Sequence, residues 1–213
     1  SISCVKTIFN FSVTLESNMS YICPICNAPL VQNQKSLQCE QRHQFDFAKE
    51  GYVNLLPVQK KKTKDPGDNK EMMFARREFL NQGFYQPLSD KVNQLALEYT
   101  TDVNKILDIL QSATQSDIEL FGLDISKFAI RYAAKRYSTM NFCVASAFEM
   151  PFADDSFDLA IRIYAPSKIE ELQRVIKPGG ILITVSPGPM HHYALKKKIY
   201  SEPKLHSEES IVL

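Results

Sequence analysis

From residue 87 onward the apolar positions alternate between a period near 3.6 and a period of two, as expected of helices interleaved with strands in an α/β sheet. Leu88, Val92, Leu95 and Tyr99 fall on one helix face. Ile106 to Leu110 reads as a short first strand, and Leu120-Phe121-Gly122-Leu123-Asp124 as a second that ends in an acid. Ser126 can accept from the free amides of a first helical turn, so it is the predicted N-cap of a helix over Lys127 to Arg136. Phe142 to Ala145 and Phe157 to Ile163 are the third and fourth strands. Ser167-Lys168-Ile169-Glu170 has the form of a capping box opening a helix that ends at Lys177-Pro178-Gly179-Gly180, and Ile181 to Val185 is the fifth strand.

The first half of the chain is patterned differently. Ile8 to Leu15 is apolar but broken at Asn10, Ser12 and Thr14, an alternation that fits a strand or a disordered tail better than a secretory leader. Met19 stands directly before the next segment, so residues 1–18 are expected to be an extension without function, and their deletion is expected to leave stability unchanged. Residues 20–57 form a small module whose end, Asp46 to Pro57, is an aromatic and aliphatic patch. Residues 58–86 are a basic linker and helix: Lys60, Lys61, Lys62 and Lys64, the turn Asp65-Pro66-Gly67-Asp68, then Met72, Met73, Arg76 and Arg77. Residues 87–213 make up the sheet domain.

Composition narrows the classes. Lys+Arg 25 against Asp+Glu 24 gives a net charge of +1 over 213 residues, so nucleic-acid contact must come from local clusters rather than a basic coat. With a mean hydropathy of −0.22 and no long uninterrupted apolar stretch, a membrane-spanning helix is not expected. Three of the five cysteines lie within one short segment, which argues against a disulfide framework.

Those three define the clearest chemistry. Cys23 and Cys26, followed by Cys39 and His43, give the spacing C-x2-C-x12-C-x3-H, in which two tight turns each bring two ligands to one tetrahedral metal. Such a zinc site is closed to water and therefore structural, and metal binding supplies most of the folding free energy of so small a module. Zinc thiolates point to a reducing compartment, hence the cytoplasm. Beside this module, Lys60, Lys61, Lys62, Arg76 and Arg77 suit phosphates, while Phe74, Phe79, Phe84 and Tyr85 are either core residues or faces for unstacked bases. Asp124, at the carboxyl end of a strand, is either a turn residue leading into a helix or an acceptor for two ribose hydroxyls. The turn reading is the commoner one, and the later run Met150 to Asp158 and the Lys177-Pro178-Gly179-Gly180 turn add weight to the second.

With these residues in place, the sheet domain resembles a class I S-adenosylmethionine-dependent methyltransferase, a Rossmann-like α/β fold. Joined to the zinc module, the segments Gln41 to Asp46, Lys49 to Pro57, Asp65 to Asp68 and Ile161 to Pro166 resemble the bacterial 23S ribosomal RNA guanine-N1 methyltransferases over residues 20 to about 200. The resemblance implies methyl transfer from S-adenosylmethionine to a guanine in a ribosomal RNA hairpin. Asp108, Asp124, Ser146 and Ala147 would hold the donor, and Tyr164 and Pro166 would line the base pocket. A homodimer is a candidate assembly. No general base is assigned.

The sequence departs from the family's pattern after Asp108. Such enzymes follow the first strand with a glycine-rich turn, yet Asp108 to Ile118 contains no glycine, and too few residues separate the first two strands for a helical crossover. The sheet is therefore expected to be incomplete, with a short carboxyl-terminal end. Two explanations stand: a degenerate or internally deleted copy, which is preferred, and a divergent protein that keeps RNA binding without methyl transfer.

Overall fold

A computed structural model describes residues 10–14, 21–60, 70–98 and 119–190, with isolated positions at 193, 197, 198, 202 and 205. In chain order the elements are strands β1 (Asn10–Thr14), β2 (Val31–Asn33), β3 (Ser36–Gln38), β4 (Gln44–Asp46) and β5 (Val53–Asn54), a 3-10 turn (Val58–Lys60), and helices α1 (Lys70–Asn81) and α2 (Gln86–Glu98). Then follow β6 (Glu119–Asp124), α3 (Lys127–Arg136), β7 (Asn141–Val144), β8 (Phe157–Ile163), α4 (Ile169–Val175) and β9 (Ile176–Val185). The predicted strand Ile106 to Leu110, Asp108 within it and the shortened crossover all lie outside the described residues.

Strands β2, β3 and β4 form a small antiparallel sheet. The other six form one sheet in the order β5-β7-β6-β1-β8-β9. Strands β5, β7 and β6 are mutually parallel, as are β8 and β9, and β1 is antiparallel to both of its neighbours. All the strands except β1 therefore point one way, which gives the α/β sheet the apolar pattern predicts.

The position of β1 was not foreseen. Asn10 lies opposite Leu123 and Thr14 opposite Glu119, while Phe11 faces Ile161 on the other side. Residues 10–14 are thus not a dispensable extension. Their backbone bridges the two parallel blocks, and removing it would leave the facing edges of β6 and β8 without hydrogen-bond partners inside a sheet.

Helix α3 matches its predicted limits. The Ser126 hydroxyl accepts from the Ala129 amide at 3.3 Å, and Lys135 and Arg136 complement the negative end of the helix. Its buried stripe, Ala129, Ile130, Ala133 and Ala134, is small enough to lie close against β6 and β7. Gly122 serves the same packing, because a Cβ there would run into the Phe142 ring.

Two predicted details are corrected around α4. The capping box does not form: α4 is capped at Lys168 with no side-chain bond, and the Ser167 hydroxyl accepts from buried Arg162 at 3.1 Å instead. Lys177-Pro178-Gly179-Gly180 is not the stop of the helix but part of β9, which begins at Ile176 and reaches its regular pairing with β8 past a register shift between Phe157 and Leu159. Gly179 absorbs the irregularity with a φ of +79°.

The zinc-type module and the large sheet share a core. Tyr21, Cys23, Leu30, Leu37, Cys39, Val53 and Leu55 pack in one buried cluster with Phe121, Phe152, Phe157 and Leu172. Within it the Tyr21 ring stacks on Phe152 at 5.4 Å and meets Phe121 edge-on at 5.7 Å. Backbone pairing ties the same joint: β5 is the edge strand of the large sheet, and the Ile22 amide donates to the Pro151 carbonyl at 3.0 Å. The segment from Tyr21 to Asn54 is therefore fastened to the large sheet near both its ends.

Candidate zinc centre and nucleoside cleft

Cys23, Cys26, Cys39 and His43 converge, and their ligand atoms all lie within 4.8 Å of one another. Two knuckles produce this. The first closes with the Asn27 amide donating to the Cys23 carbonyl at 2.8 Å, the second with the Arg42 amide donating to the Cys39 carbonyl at 2.9 Å. Asn27 and Arg42 take the left-handed conformation needed to turn so tightly, with φ of 60° and 64°.

The donor set passes a geometric test. Around a tetrahedral zinc, sulfurs at ~2.3 Å and an imidazole nitrogen at ~2.0 Å leave sulfur–sulfur edges of ~3.7 Å and sulfur–nitrogen edges of ~3.5 Å. Cys26 Sγ and Cys39 Sγ are 3.7 Å apart, and His43 Nδ1 is 3.5 Å from Cys23 Sγ and 3.4 Å from Cys39 Sγ. Desolvation opposes ionisation of Cys39, but the His43 backbone and the Cys26 and His43 side chains outweigh it and bring the thiol down to about 7. The site is a structural zinc centre with Cys23, Cys26, Cys39 and His43 as its four ligands.

The second site lies where an open parallel sheet binds ligands, at the carboxyl ends of its strands. A cleft of about 280 Å³ is bounded by Leu123 to Ser126 after β6, Ser146 to Phe148 after β7, Ile163 to Pro166 after β8, Ala129 of α3 and Arg76 of α1. Asp124, which the sequence itself marks, and Ser146, Ala147, Tyr164 and Pro166, which the family resemblance implies, thus line one cleft. Arg76, predicted as a phosphate contact, stands at the same cleft. Ile125, Phe148 and Ala165 were not anticipated, since only the strand order reveals that these three loops meet.

The polar groups in the cleft are few and held. Asp124 does the work of a turn residue and of a cleft residue at once: its Oδ1 accepts from the Ser126 amide at 2.6 Å while the side chain borders the cleft. The Ser146 hydroxyl accepts from the Phe148 amide at 3.2 Å, in a turn that carries Ala147 and Phe148 to the rim. Tyr164 has a φ of 49°, unusual for a ring-bearing residue, and its amide is fixed by the Val185 carbonyl at 2.9 Å. Burial, with a lesser contribution from Tyr85, pushes its phenol up, so at neutral pH it is a hydrogen-bond donor rather than a base.

The remaining predicted contacts are dispersed. Arg77 sits over the Phe74 ring at 5.0 Å and the Tyr132 ring at 5.8 Å, with Glu78 at 3.6 Å. Lys60 ends the 3-10 turn, and Lys61, Lys62 and Asp108 lie outside the described residues. Cys143 is buried in β7, where desolvation raises its thiol far above the usual range, and it is a core residue.

A sheet whose strands all run one way except β1, with a cleft at its carboxyl edge, defines a Rossmann-like α/β fold. The chain belongs to the methyltransferase-domain family, which it matches over residues 101–211, and its residues 21–64 match the zinc ribbon described as RlmA, N-terminal. It is 32% identical over 183 residues to the 23S rRNA (guanine(748)-N(1))-methyltransferase of Streptomyces fradiae, covering 79% of this chain and 64% of that protein. It is 29% identical over 198 residues to YxjB of Bacillus subtilis (strain 168), which carries a provisional form of a similar name, covering 84% of this chain and 68% of the relative. The chain thus spans about two thirds of the length of these relatives. Among the described residues no helix is long and apolar enough to cross a membrane.

Proposed function

We propose that this protein is a zinc-containing RNA methyltransferase that takes S-adenosylmethionine as donor and methylates N1 of a guanine in a ribosomal RNA hairpin. The observation that carries this reading is the convergence of Asp124, Ser146, Ala147 and Tyr164 on one cleft at the carboxyl edge of the sheet. The names of the relatives supply the substrate class.

The donor fits the chemistry of the wall. Asp124 is a carboxylate placed to accept from ribose hydroxyls, Ser146 and Ala147 border the cleft where adenine would lie, and the bound donor would supply an electrophilic methyl group. The protein's own tasks are to exclude water and to align the two reactants, which alone lowers the barrier substantially. Tyr164 and Pro166 offer a ring and an apolar face to a flipped guanine, and the neutral phenol donates to a base acceptor. With the donor bound, these residues would hold its methyl group in line with N1, and the N1 proton would have to be given up as the methyl group is transferred. The zinc module holds the RNA-facing surface in place without entering the reaction. Three zinc thiolates favour a reducing compartment, the cytoplasm, and a homodimer would extend the RNA-binding face.

A second reading, RNA binding without methyl transfer, is favoured by one feature: no glycine occurs between Asp108 and Ile118, where a donor loop would approach the methionine moiety. Incubating zinc-loaded protein with tritiated S-adenosylmethionine and ribosomal RNA hairpins tests the first reading. Label at guanine N1 supports it, and RNA retention on a filter without label supports the second.

A further inference from the structure

Four aromatic rings lead out of the cleft. Tyr164 on its wall meets Tyr85 edge-to-face at 6.4 Å, Tyr85 meets Phe79 at 5.9 Å, and Phe79 faces Phe84 at 5.1 Å with only 30° between the ring planes. Exposure rises along the series. Tyr164 and Tyr85 are half-buried, whereas Phe79 is 46% and Phe84 62% exposed. The turn after α1 makes this possible, because Gly83 adopts a φ of +83° and returns Phe84 to the Phe79 ring.

Packing explains the inner pair and leaves the outer pair unexplained, since two phenylalanines held against each other in water forfeit most of their burial energy. The patch is narrow: Glu78, Gln82 and Gln86, all exposed, surround it in sequence. That shape suits a flat ring rather than the broad apolar face of a protein partner. In sequence, the stretch from Val58 to Arg77 carries seven basic against three acidic residues, and of these Arg76 stands at the cleft itself, where it suits an anion.

We propose that Phe79, Phe84 and Tyr85 form a stacking platform for unpaired bases flanking the one held in the cleft, so that the RNA ligand is a single-stranded loop rather than a duplex. The proposal rests on the RNA reading of the cleft. Stacking on aromatic rings tolerates any base, and it positions the strand while the cleft selects. Arg77, on the same helix as Phe79 and lying over Phe74 and over Tyr132 of α3, extends the positive edge along which the backbone would run.

The test uses the full chain with zinc bound and a short single-stranded oligoribonucleotide carrying 2-aminopurine beside a guanosine, followed by fluorescence and anisotropy. Phe84→Ala is expected to weaken binding roughly five- to a hundredfold and to relieve quenching of the 2-aminopurine, with Phe84→Trp restoring both. Phe79→Leu is the second variant, expected to act in the same direction. Zinc content and melting temperature report on folding, and affinity for an RNA duplex is expected to stay within twofold. Unchanged oligonucleotide affinity in both folded variants would overturn the platform while leaving the donor reading of the cleft to its own titration. A change of oligomeric state in Phe84→Ala without a change in RNA affinity overturns it too, in favour of a contact between copies of this chain. Absence of any oligonucleotide binding by the unaltered protein overturns the platform and the RNA reading together.

Discussion

Arg174 grips Glu171 with two parallel bonds: Nε donates to Oε1 at 2.9 Å and Nη2 to Oε2 at 2.8 Å. The same guanidinium donates to the Phe152 carbonyl at 2.6 Å, the Met150 carbonyl at 3.0 Å and Asp154 Oδ1 at 3.0 Å, while the Met150 amide donates to Glu171 at 2.7 Å. Helix α4 thereby fixes the loop on which Tyr21 and Ile22 of the zinc module pair.

Breaking this fork should loosen the joint between module and sheet. Arg174→Met leaves Glu171 and two carbonyls in partly buried positions without their donor, a loss of about 2–4 kcal/mol. Chemical denaturation would measure it, and a loss within experimental error of zero would show that the joint is held by its aromatic core alone.

The same pair gives stability an acid limb. Desolvation raises the Glu171 carboxyl, but bonds from Arg174 and the Met150 amide outweigh it and hold the group below the usual glutamate range. A depressed carboxyl stabilises the fold above its unfolded pKa, and that contribution is lost as the pH falls through the folded value. Denaturation midpoints should therefore decline below about pH 4.5, where glutamates ordinarily titrate, and less steeply in Glu171→Gln.

Metal removal should act on the whole chain, because the ligands Cys23 and Cys39 belong to the shared core. Chelation, or Cys39→Ser, is expected to lower the melting temperature by about 10 °C or more and to release one zinc per chain. A melting curve indifferent to chelator, with no zinc by mass spectrometry, would contradict the assignment.

Deleting residues 1–18 removes β1. Loss of a strand paired on both sides is expected to reduce stability by roughly 2 kcal/mol or more and to expose the amides of β6 and β8 to hydrogen exchange. Unchanged protection in these strands would restore the view of this segment as a passive extension.

Local signals were legible in the sequence, and long-range ones were not. Cys23, Cys26, Cys39 and His43 were readable because ligand spacing is a local constraint, and Ser126 with α3 because cap and stripe lie within one helix. Phe157 to Ile163 declared itself by an apolar run interrupted only at Asp158 and Arg162. Ser167 carried a capping signal that was overruled when buried Arg162 claimed its hydroxyl, a partner that only the tertiary fold supplies. Lys177 to Gly180 looked like a break because proline and glycines usually end an element, and here they lie within β9 beside its register shift. The pairing of Asn10 with Leu123 across more than a hundred residues has no local signature. The cleft was half legible: Asp124 carried a local signal and the other residues came with the family resemblance, but their meeting depends on strand order.

The central claim is that the carboxyl-edge cleft binds a nucleoside sulfonium donor. Isothermal titration of the zinc-loaded chain with S-adenosylhomocysteine measures it most directly. Saturable one-to-one binding, weakened at least tenfold by Asp124→Ala with the fold intact, is the predicted result. No heat at millimolar ligand, from protein that still holds its zinc and melts cooperatively, would contradict it.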